Sequence, residues 1–148
     1  VVGRRFQEVF SQLFGGGTAQ IVLTDPDNIL TGGIDFYIQP PGKKRQQLTL
    51  LSGGERALTV IALLFSFLNY RPAPFCVLDE VDAALDEANV ERFSSYLNRI
   101  NKETQFIVVS HRKKTMEAAE VLQGVTMVER GVSRLLTVAF EDVKEDLA

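Results

Sequence analysis

The spacing of hydrophobic residues changes several times in the first third of the chain. Apolar side chains recur every three to four positions over residues 2–14, which predicts an amphipathic helix that ends at three consecutive glycines. Residues 18–24 and 33–39 predict two antiparallel strands joined by a turn. A basic loop follows at residues 40–45, and residues 48–51 predict a short strand or an extended lead-in.

After residue 52 the pattern alternates between apolar helices and short apolar strands. The predicted elements are a helix ending near residue 71, a strand at 75–79, a helix at 89–100, a strand at 105–110, a helix at 114–122, and a hairpin with strands 125–129 and 133–140. Short continuous apolar runs are typical of strands buried on both faces. The alternation predicts an α/β fold with a parallel sheet core flanked by helices and antiparallel hairpin strands at its margins. In such sheets ligands bind beyond the carboxyl ends of the strands.

Composition limits the kinds of partner. The 148 residues are 45% hydrophobic and 24% charged, which suits one globular domain with its own core. A net charge of −3 gives no general attraction to nucleic acid or anionic membranes.

The single cysteine, Cys76, excludes an internal disulfide and fits a reducing cytosol. No apolar run reaches the ~18 residues of a membrane span. Without an initiator Met or a signal-peptide pattern, we expect the chain to be part of a longer one.

The first segment with candidate chemistry is Leu51-Ser52-Gly53-Gly54-Glu55, directly before an apolar helix. Ser52 followed three residues later by Glu55 forms a capping box, which needs no ligand. A capping box leaves the two adjacent glycines unexplained. Glycines let a phosphate approach a helix N-terminus, where free N–H groups carry partial positive charge. The segment therefore predicts either a plain helix cap or a site for a γ-phosphate.

Polar residues also follow the two predicted parallel strands. Asp79 and Glu80 end the first strand, either as a solvated strand end, as a cap for the next helix, or as a functional pair. In the functional interpretation Asp79 serves a magnesium ion, because hard cations take oxygen ligands, and Glu80 accepts a proton from water or orients it. His111, the only histidine, follows the second strand, where an imidazole could bind a phosphate oxygen or position water. Lone histidines are more often structural.

A loop of small and acidic residues lies between Glu80 and the next helix. In the simplest interpretation its acids cap that helix. Alternatively, its small side chains let a partner surface come close, and Asp82 forms a bond across the interface.

Taken in chain order, these segments resemble the motifs of the ABC-type ATPase family. Residues 51–55 are similar to its signature motif, residues 75–80 to Walker B, residues 81–86 to the D-loop, and His111 to the switch histidine. We call residues 51–55 the signature segment and residues 81–86 the D-loop segment. Four matches in the family's order are far more specific than any one of them.

Within that family the chain resembles the C-terminal head lobe of a bacterial structural-maintenance-of-chromosomes (SMC) protein, for example at residues 13–17 and 39–44. The resemblance implies that residues 1–14 end a returning coiled-coil helix, residues 15–140 form the C-terminal lobe and residues 141–148 form an acidic tail. The fold expected is thus half of an ABC-type ATPase head. No Gly-x4-Gly-Lys-Ser/Thr phosphate loop occurs in the chain. In the SMC family that loop lies in an N-terminal lobe, so the isolated chain is expected to be inactive as an ATPase.

The resemblance further implies ATP and Mg²⁺ as cofactors and a role for each motif. Asp79 would hold the magnesium ion through water, and Glu80 and His111 would be catalytic toward the ATP of their own head. Leu51, Ser52, Gly53, Gly54 and Glu55 would bind the ATP held by a second, identical head. The D-loop residues would be Asp82, Ala83, Leu85 and Asp86, of which Asp82 would help couple the two sites.

The partners implied are the N-terminal lobe of the same protein, a second head in a homodimer, a kleisin subunit and, through the whole complex, DNA. The setting would be chromosome condensation and segregation in the cytoplasm, associated with the nucleoid, without a membrane partner. The hairpin at residues 125–140 is a candidate kleisin surface, or it only completes the sheet. The basic clusters at residues 43–45 and 112–114 are more typical of solvated faces than of a DNA site.

Two alternatives stay open. One is the head lobe of a Rad-fifty-type or RecN-type DNA-repair ATPase, which shares all four motifs. The other is a scaffold lobe whose main task is kleisin docking. A transporter nucleotide-binding domain is disfavoured, because its Walker A motif would lie upstream within the same compact domain.

Overall fold

The computed structural model describes residues 1–100 and 102–139. The elements in chain order are α1 (Val2–Phe14), β1 (Thr18–Leu23), β2 (Ile34–Gln39), β3 (Gln46–Gln47), a 3-10 turn (Leu48–Leu50), α2 (Gly53–Tyr70), β4 (Phe75–Asp79), α3 (Glu87–Ile100), β5 (Gln105–Val109), α4 (Lys113–Glu117), β6 (Val121–Glu129) and β7 (Val132–Ala139). Helix α1 ends at Gly15, whose φ of 72° is in the left-handed region that glycine adopts without strain.

The strands form three separate sheets within the described part of the chain. Strands β1, β2 and β3 make an antiparallel sheet, β4 and β5 a parallel pair, and β6 and β7 an antiparallel hairpin. The predicted α/β fold with a parallel sheet and antiparallel hairpins is therefore confirmed. The hairpin β6–β7 is not hydrogen-bonded to the parallel pair, however, so it does not extend that sheet as expected.

The core lies where α1, α2 and α3 pack together against the β1–β2–β3 sheet and the parallel pair. Aromatic rings provide much of its volume. Phe10 stacks on Phe14 with ring centroids 4.1 Å apart, and Phe65 of α2 stacks on Tyr96 of α3 at 5.1 Å. Phe65 also meets Phe106 of β5 edge-on, which fixes α2 against one face of the parallel pair. The N-terminus of α2 is thereby held at a defined place beside the sheet.

The other face of the parallel pair is uncovered, so the expectation that its strands are buried on both faces is wrong for this chain. Leu78, which points toward the helices, is 2% exposed. The four residues of the opposite face are Phe75 (59% exposed), Val77 (55%), Ile107 (49%) and Val109 (50%). We call these four residues the apolar sheet face. Helices cover one side only, and no described element of the chain lies over the second.

Two local predictions are also wrong. Residues 48–50 form a 3-10 turn instead of a strand, and Leu51 N–H closes that turn by donating to Leu48 O at 3.3 Å. The helix predicted at 114–122 ends at Glu117, because Val121 and Leu122 already pair with β7. A short apolar run cannot by itself distinguish a helix from a strand. Residue 140 and the tail predicted at residues 141–148 lie outside the described residues.

Candidate functional site

The signature segment forms a complete capping box at the start of α2. The N–H and hydroxyl of Ser52 donate to Glu55 Oε2 at 3.2 and 2.7 Å, and Glu55 N–H donates back to Ser52 Oγ at 3.4 Å. Leu51 is buried and anchors the segment, while Ser52 and Gly53 are exposed. The helix-cap interpretation is therefore confirmed. The capping box engages the Ser52 hydroxyl and the Glu55 N–H, and the helix N-terminus around Gly53 is exposed.

Lys43 binds the carboxylate of this capping box. Its Nζ lies 2.8 Å from Glu55 Oε1, and the Glu55 side chain is only 15% exposed. Burial raises the pKa of Glu55, but the hydrogen bonds from Lys43 and Ser52 outweigh burial and bring that pKa below its usual value. Glu55 is therefore ionised near neutral pH.

Gly54 brings the signature segment against the D-loop segment. A Cβ atom at Gly54 would lie 3.2 Å from the carbonyl oxygen of Ala84, whereas a Cβ at Gly53 would meet nothing within 4 Å. The two glycines thus differ in their surroundings. Gly54 permits close packing inside the chain, and Gly53 faces open space.

Asp79 and Glu80 lie at the carboxyl end of β4, beside the end of β5. Glu80 has a φ of 49°, an uncommon backbone conformation for a residue other than glycine, and its N–H donates to Val109 O at 2.9 Å. Its Oε1 lies 4.0 Å from His111 Nδ1, and both side chains are exposed. This separation is too long for a hydrogen bond, so the two groups border a common space. The structure therefore brings Asp79, Glu80 and His111 to one edge of the parallel pair.

Asp82 differs most from its sequence-based interpretation. Its side chain is 0% exposed, and its Oδ2 accepts hydrogen bonds from the hydroxyls of Ser110 (2.6 Å) and Thr115. A bond from Asp82 across an interface is not possible from this buried position. Its carboxylate instead ties the D-loop segment to the residues around His111. Sequence reasoning placed Ser110 beside His111 but gave neither Ser110 nor Thr115 a role, because nothing in the local sequence indicates Asp82 as their partner.

The remaining residues of the D-loop segment divide between the core and the surface. Leu85 is buried, and its carbonyl accepts a hydrogen bond of 3.0 Å from Arg112. Asp86 Oδ1 accepts from Asn89 N–H at 2.8 Å, so the expected capping of the following helix is confirmed for this acid. Ala83 is exposed and offers a small surface to a neighbour.

The chemistry lies on an open edge and not in an enclosed pocket. Two shallow surface hollows are lined by residues such as Asn69 and Arg92, and neither contains a candidate site residue. Three or more potential metal ligands do not cluster anywhere in residues 1–100 and 102–139. Asp79 could offer one carboxylate to a magnesium ion. Magnesium usually binds only one or two protein carboxylates and completes its coordination shell with water and phosphate oxygens. Among the described helices, none has the length and apolar character to cross a membrane.

Comparison with known proteins gives consistent matches. A family model described as "RecF/RecN/SMC N terminal domain" matches residues 29–134. The chromosome partition protein Smc of Bacillus subtilis (strain 168) is 63% identical over 140 residues, which are 95% of this chain and 12% of that protein. The chain thus spans only a small part of the length of such relatives.

Solved structures resemble the chain over almost its whole length. A chain from work on ATP-driven dimerization and DNA-stimulated activation of SMC ATPases has a TM-score of 0.87 at 37% identity, with 99% of this chain and 88% of that chain covered. An SmcHead bound to the C-winged helix domain of ScpA also has a TM-score of 0.87, at 38% identity. There the match covers 97% of this chain and 44% of the SmcHead chain.

Proposed function

The chain belongs to the RecF/RecN/SMC family, and from that premise we propose that it is the C-terminal lobe of an SMC-type ATPase head. Its task is to help two heads engage on ATP and hydrolyse it during chromosome organisation and segregation. The family description names an N terminal domain, so the choice of the C-terminal lobe depends on the four motifs and the missing phosphate loop. The 44% coverage of the SmcHead chain agrees with about half of a head.

The apolar sheet face is the observation that carries the proposal. Side chains alternate along a strand, so Asp79 projects from the same face as Phe75 and Val77. Parallel sheets are normally covered on both sides. A second lobe covering this face would lie directly beside Asp79, where it can supply the phosphate-binding loop that this sequence lacks. The chain alone is therefore expected to hydrolyse no ATP.

Residues at the end of the parallel pair act on the nucleotide of their own head. Bound ATP and its magnesium ion provide the phosphoryl group and neutralise its charge. Asp79 would hold the ion, Glu80 would orient the attacking water or accept its proton, and His111 would donate a hydrogen bond to a γ-phosphate oxygen. The 4.0 Å gap between Glu80 and His111 leaves the two groups facing one reaction space.

The signature segment acts on the nucleotide of the opposite head. Ser52 and Gly53 are exposed at the N-terminus of α2, where backbone N–H groups and the helix dipole favour a phosphate. Ala83, exposed on the adjacent D-loop segment, lets the second head approach closely. In this arrangement the γ-phosphate joins the two heads, and its hydrolysis releases them.

The further partners follow from the same placement. The hairpin β6–β7 is the proposed binding surface for a kleisin subunit. Both of its strands expose apolar side chains such as Val125 (69%) and Leu135 (67%), and a similar head is bound to a domain of ScpA. DNA is bound by the whole complex, in the cytoplasm at the nucleoid. A RecN-type head remains the second candidate, since the family model spans both groups, but the 63% identity to a chromosome partition protein favours the SMC type.

The proposal is tested with Ser52→Arg in a complete head that contains both lobes. In this proposal Ser52, the N-cap of α2, contacts the nucleotide of the opposite head and takes no part in the site of its own head. Each variant head is therefore expected to bind ATP normally, while ATP-dependent dimers disappear in analytical ultracentrifugation. Ser95→Arg, at an exposed serine of α3, is the control. Normal dimerisation of the Ser52→Arg head would refute the proposal.

A further inference from the structure

Lys43 lies in the loop between β2 and β3 and reaches the start of α2. Its own N–H donates to Pro40 O at 3.1 Å, and Gly42 before it has a φ of 73°, so a tight turn defines the position of the lysine. From there its Nζ lies 2.8 Å from Glu55 Oε1. The Lys43 side chain is 55% exposed, but the Glu55 side chain that it binds is only 15% exposed.

The hydrogen bonds of Glu55 limit what Ser52 can do. Oε2 of Glu55 receives both the N–H and the hydroxyl of Ser52, and Oε1 is bound by Lys43. A serine hydroxyl has a single proton to donate. While that proton is donated to Glu55, it cannot be donated to a phosphate. A phosphate contact therefore requires the hydroxyl to turn away, which leaves a poorly hydrated carboxylate with one donor fewer and beside a new negative charge.

We propose that Lys43 is a positioning residue of the signature segment. It holds the Glu55 carboxylate and balances its charge, so that the Ser52 hydroxyl can turn from Glu55 to the γ-phosphate of the opposite head. This role depends on the proposed function. The direction of the Glu55 pKa agrees with it, because the hydrogen bond from Lys43 is the largest single contribution that lowers this pKa against the effect of burial.

The test uses complete heads with both lobes and measures ATP-dependent dimerisation and ATP binding by single heads. Lys43→Gln is expected to weaken dimerisation by about 3- to 10-fold and to leave ATP binding unchanged, since the lost bond joins two charged groups. Lys43→Arg keeps the charge and is expected to restore dimerisation. Lys44→Gln is the matched control, because neighbouring Lys44 makes no ion pair with any described residue.

A double-mutant cycle with Glu55→Gln shows whether Lys43 acts through Glu55. The Lys43→Gln substitution is expected to add no further loss in the Glu55→Gln background. Additive losses, weaker ATP binding by single heads, or failure of Lys43→Arg to restore dimerisation would overturn the role of Lys43. If the Lys43→Gln head dimerised normally while the Ser52→Arg head did not dimerise, the role of Lys43 alone would be overturned. Normal dimerisation of Ser52→Arg would overturn the proposed function and the role of Lys43 together.

Discussion

Asp82 and Ser110 are joined by a hydrogen bond of 2.6 Å although 28 positions separate them in the chain. Thr115 donates to the same carboxylate oxygen, and Arg112 N–H donates to Ser110 Oγ at 3.0 Å. The D-loop segment and the residues on both sides of His111 are therefore connected inside the chain.

This connection predicts the effect of Thr115→Val, a substitution that keeps the shape and removes the hydroxyl donor. Loss of a donor to a buried carboxylate is expected to lower the free energy of unfolding by about 1–3 kcal/mol. Chemical denaturation of the chain measures the change. Thr137→Val, at an exposed threonine of β7, is the control and should alter stability by less than about 0.5 kcal/mol. Equal effects of the two substitutions would contradict the buried network.

The two glycines of the signature segment should respond differently to alanine. Gly54→Ala places a Cβ 3.2 Å from Ala84 O and is expected to cost about 1 kcal/mol as the D-loop segment is pushed away. Gly53→Ala meets no atom within 4 Å and should leave stability unchanged or slightly raised. In a complete head, Gly53→Ala should still weaken ATP-dependent dimerisation, because a phosphate would meet the added methyl group. Denaturant midpoints measure the change in stability, and sedimentation measures the change in dimerisation. Equal destabilisation by both substitutions would argue against the close packing of Gly54 on Ala84.

Glu80→Gln tests the acid at the end of β4. The amide keeps the size of the side chain and cannot accept the proton of water, so ATP hydrolysis by a complete head is expected to fall by about 10²–10⁴-fold. ATP binding should persist, and ATP-bound dimers should accumulate in sedimentation. Glu91→Gln, at an exposed acid of α3, is the matched control. Turnover by the Glu80→Gln head within about twofold of the unmodified head would rule out the role of Glu80.

The sequence predicted best those features whose causes are local. The capping box depends on Ser52 and Glu55 three positions apart, and the end of α1 depends on Gly15, so both could be recognised in the chain. The partners of Asp82 could not be recognised, because the fold alone brings Ser110 and Thr115 to it from beyond α3 and β5. For the same reason, Lys43 looked like part of a solvated basic run until the structure placed it against Glu55.

Burial of the parallel strands was predicted wrongly for a different reason. An apolar run in a parallel strand is typical of a strand that is buried on both faces. The run does not indicate whether the same chain or another chain buries each face. Leu78 is covered by this chain, whereas Val77, the preceding residue, is not. The covered Leu78 and the exposed Val77 belong to the same apolar run, so no local rule could tell which face of the strand this chain itself covers.

The apolar sheet face provides the last prediction, Val77→Asp. Val77 is 55% exposed, so an aspartate there is expected to change the stability of the chain alone by less than about 1 kcal/mol. Binding to a separately produced N-terminal lobe should weaken at least about tenfold, because assembly would bury an unpaired charge against that lobe. Titration calorimetry measures the affinity, and Val22→Asp, at a 41% exposed valine of β1, is the control. If Val77→Asp bound the N-terminal lobe as tightly as the unmodified chain, the apolar sheet face could not be the surface on which the two lobes meet.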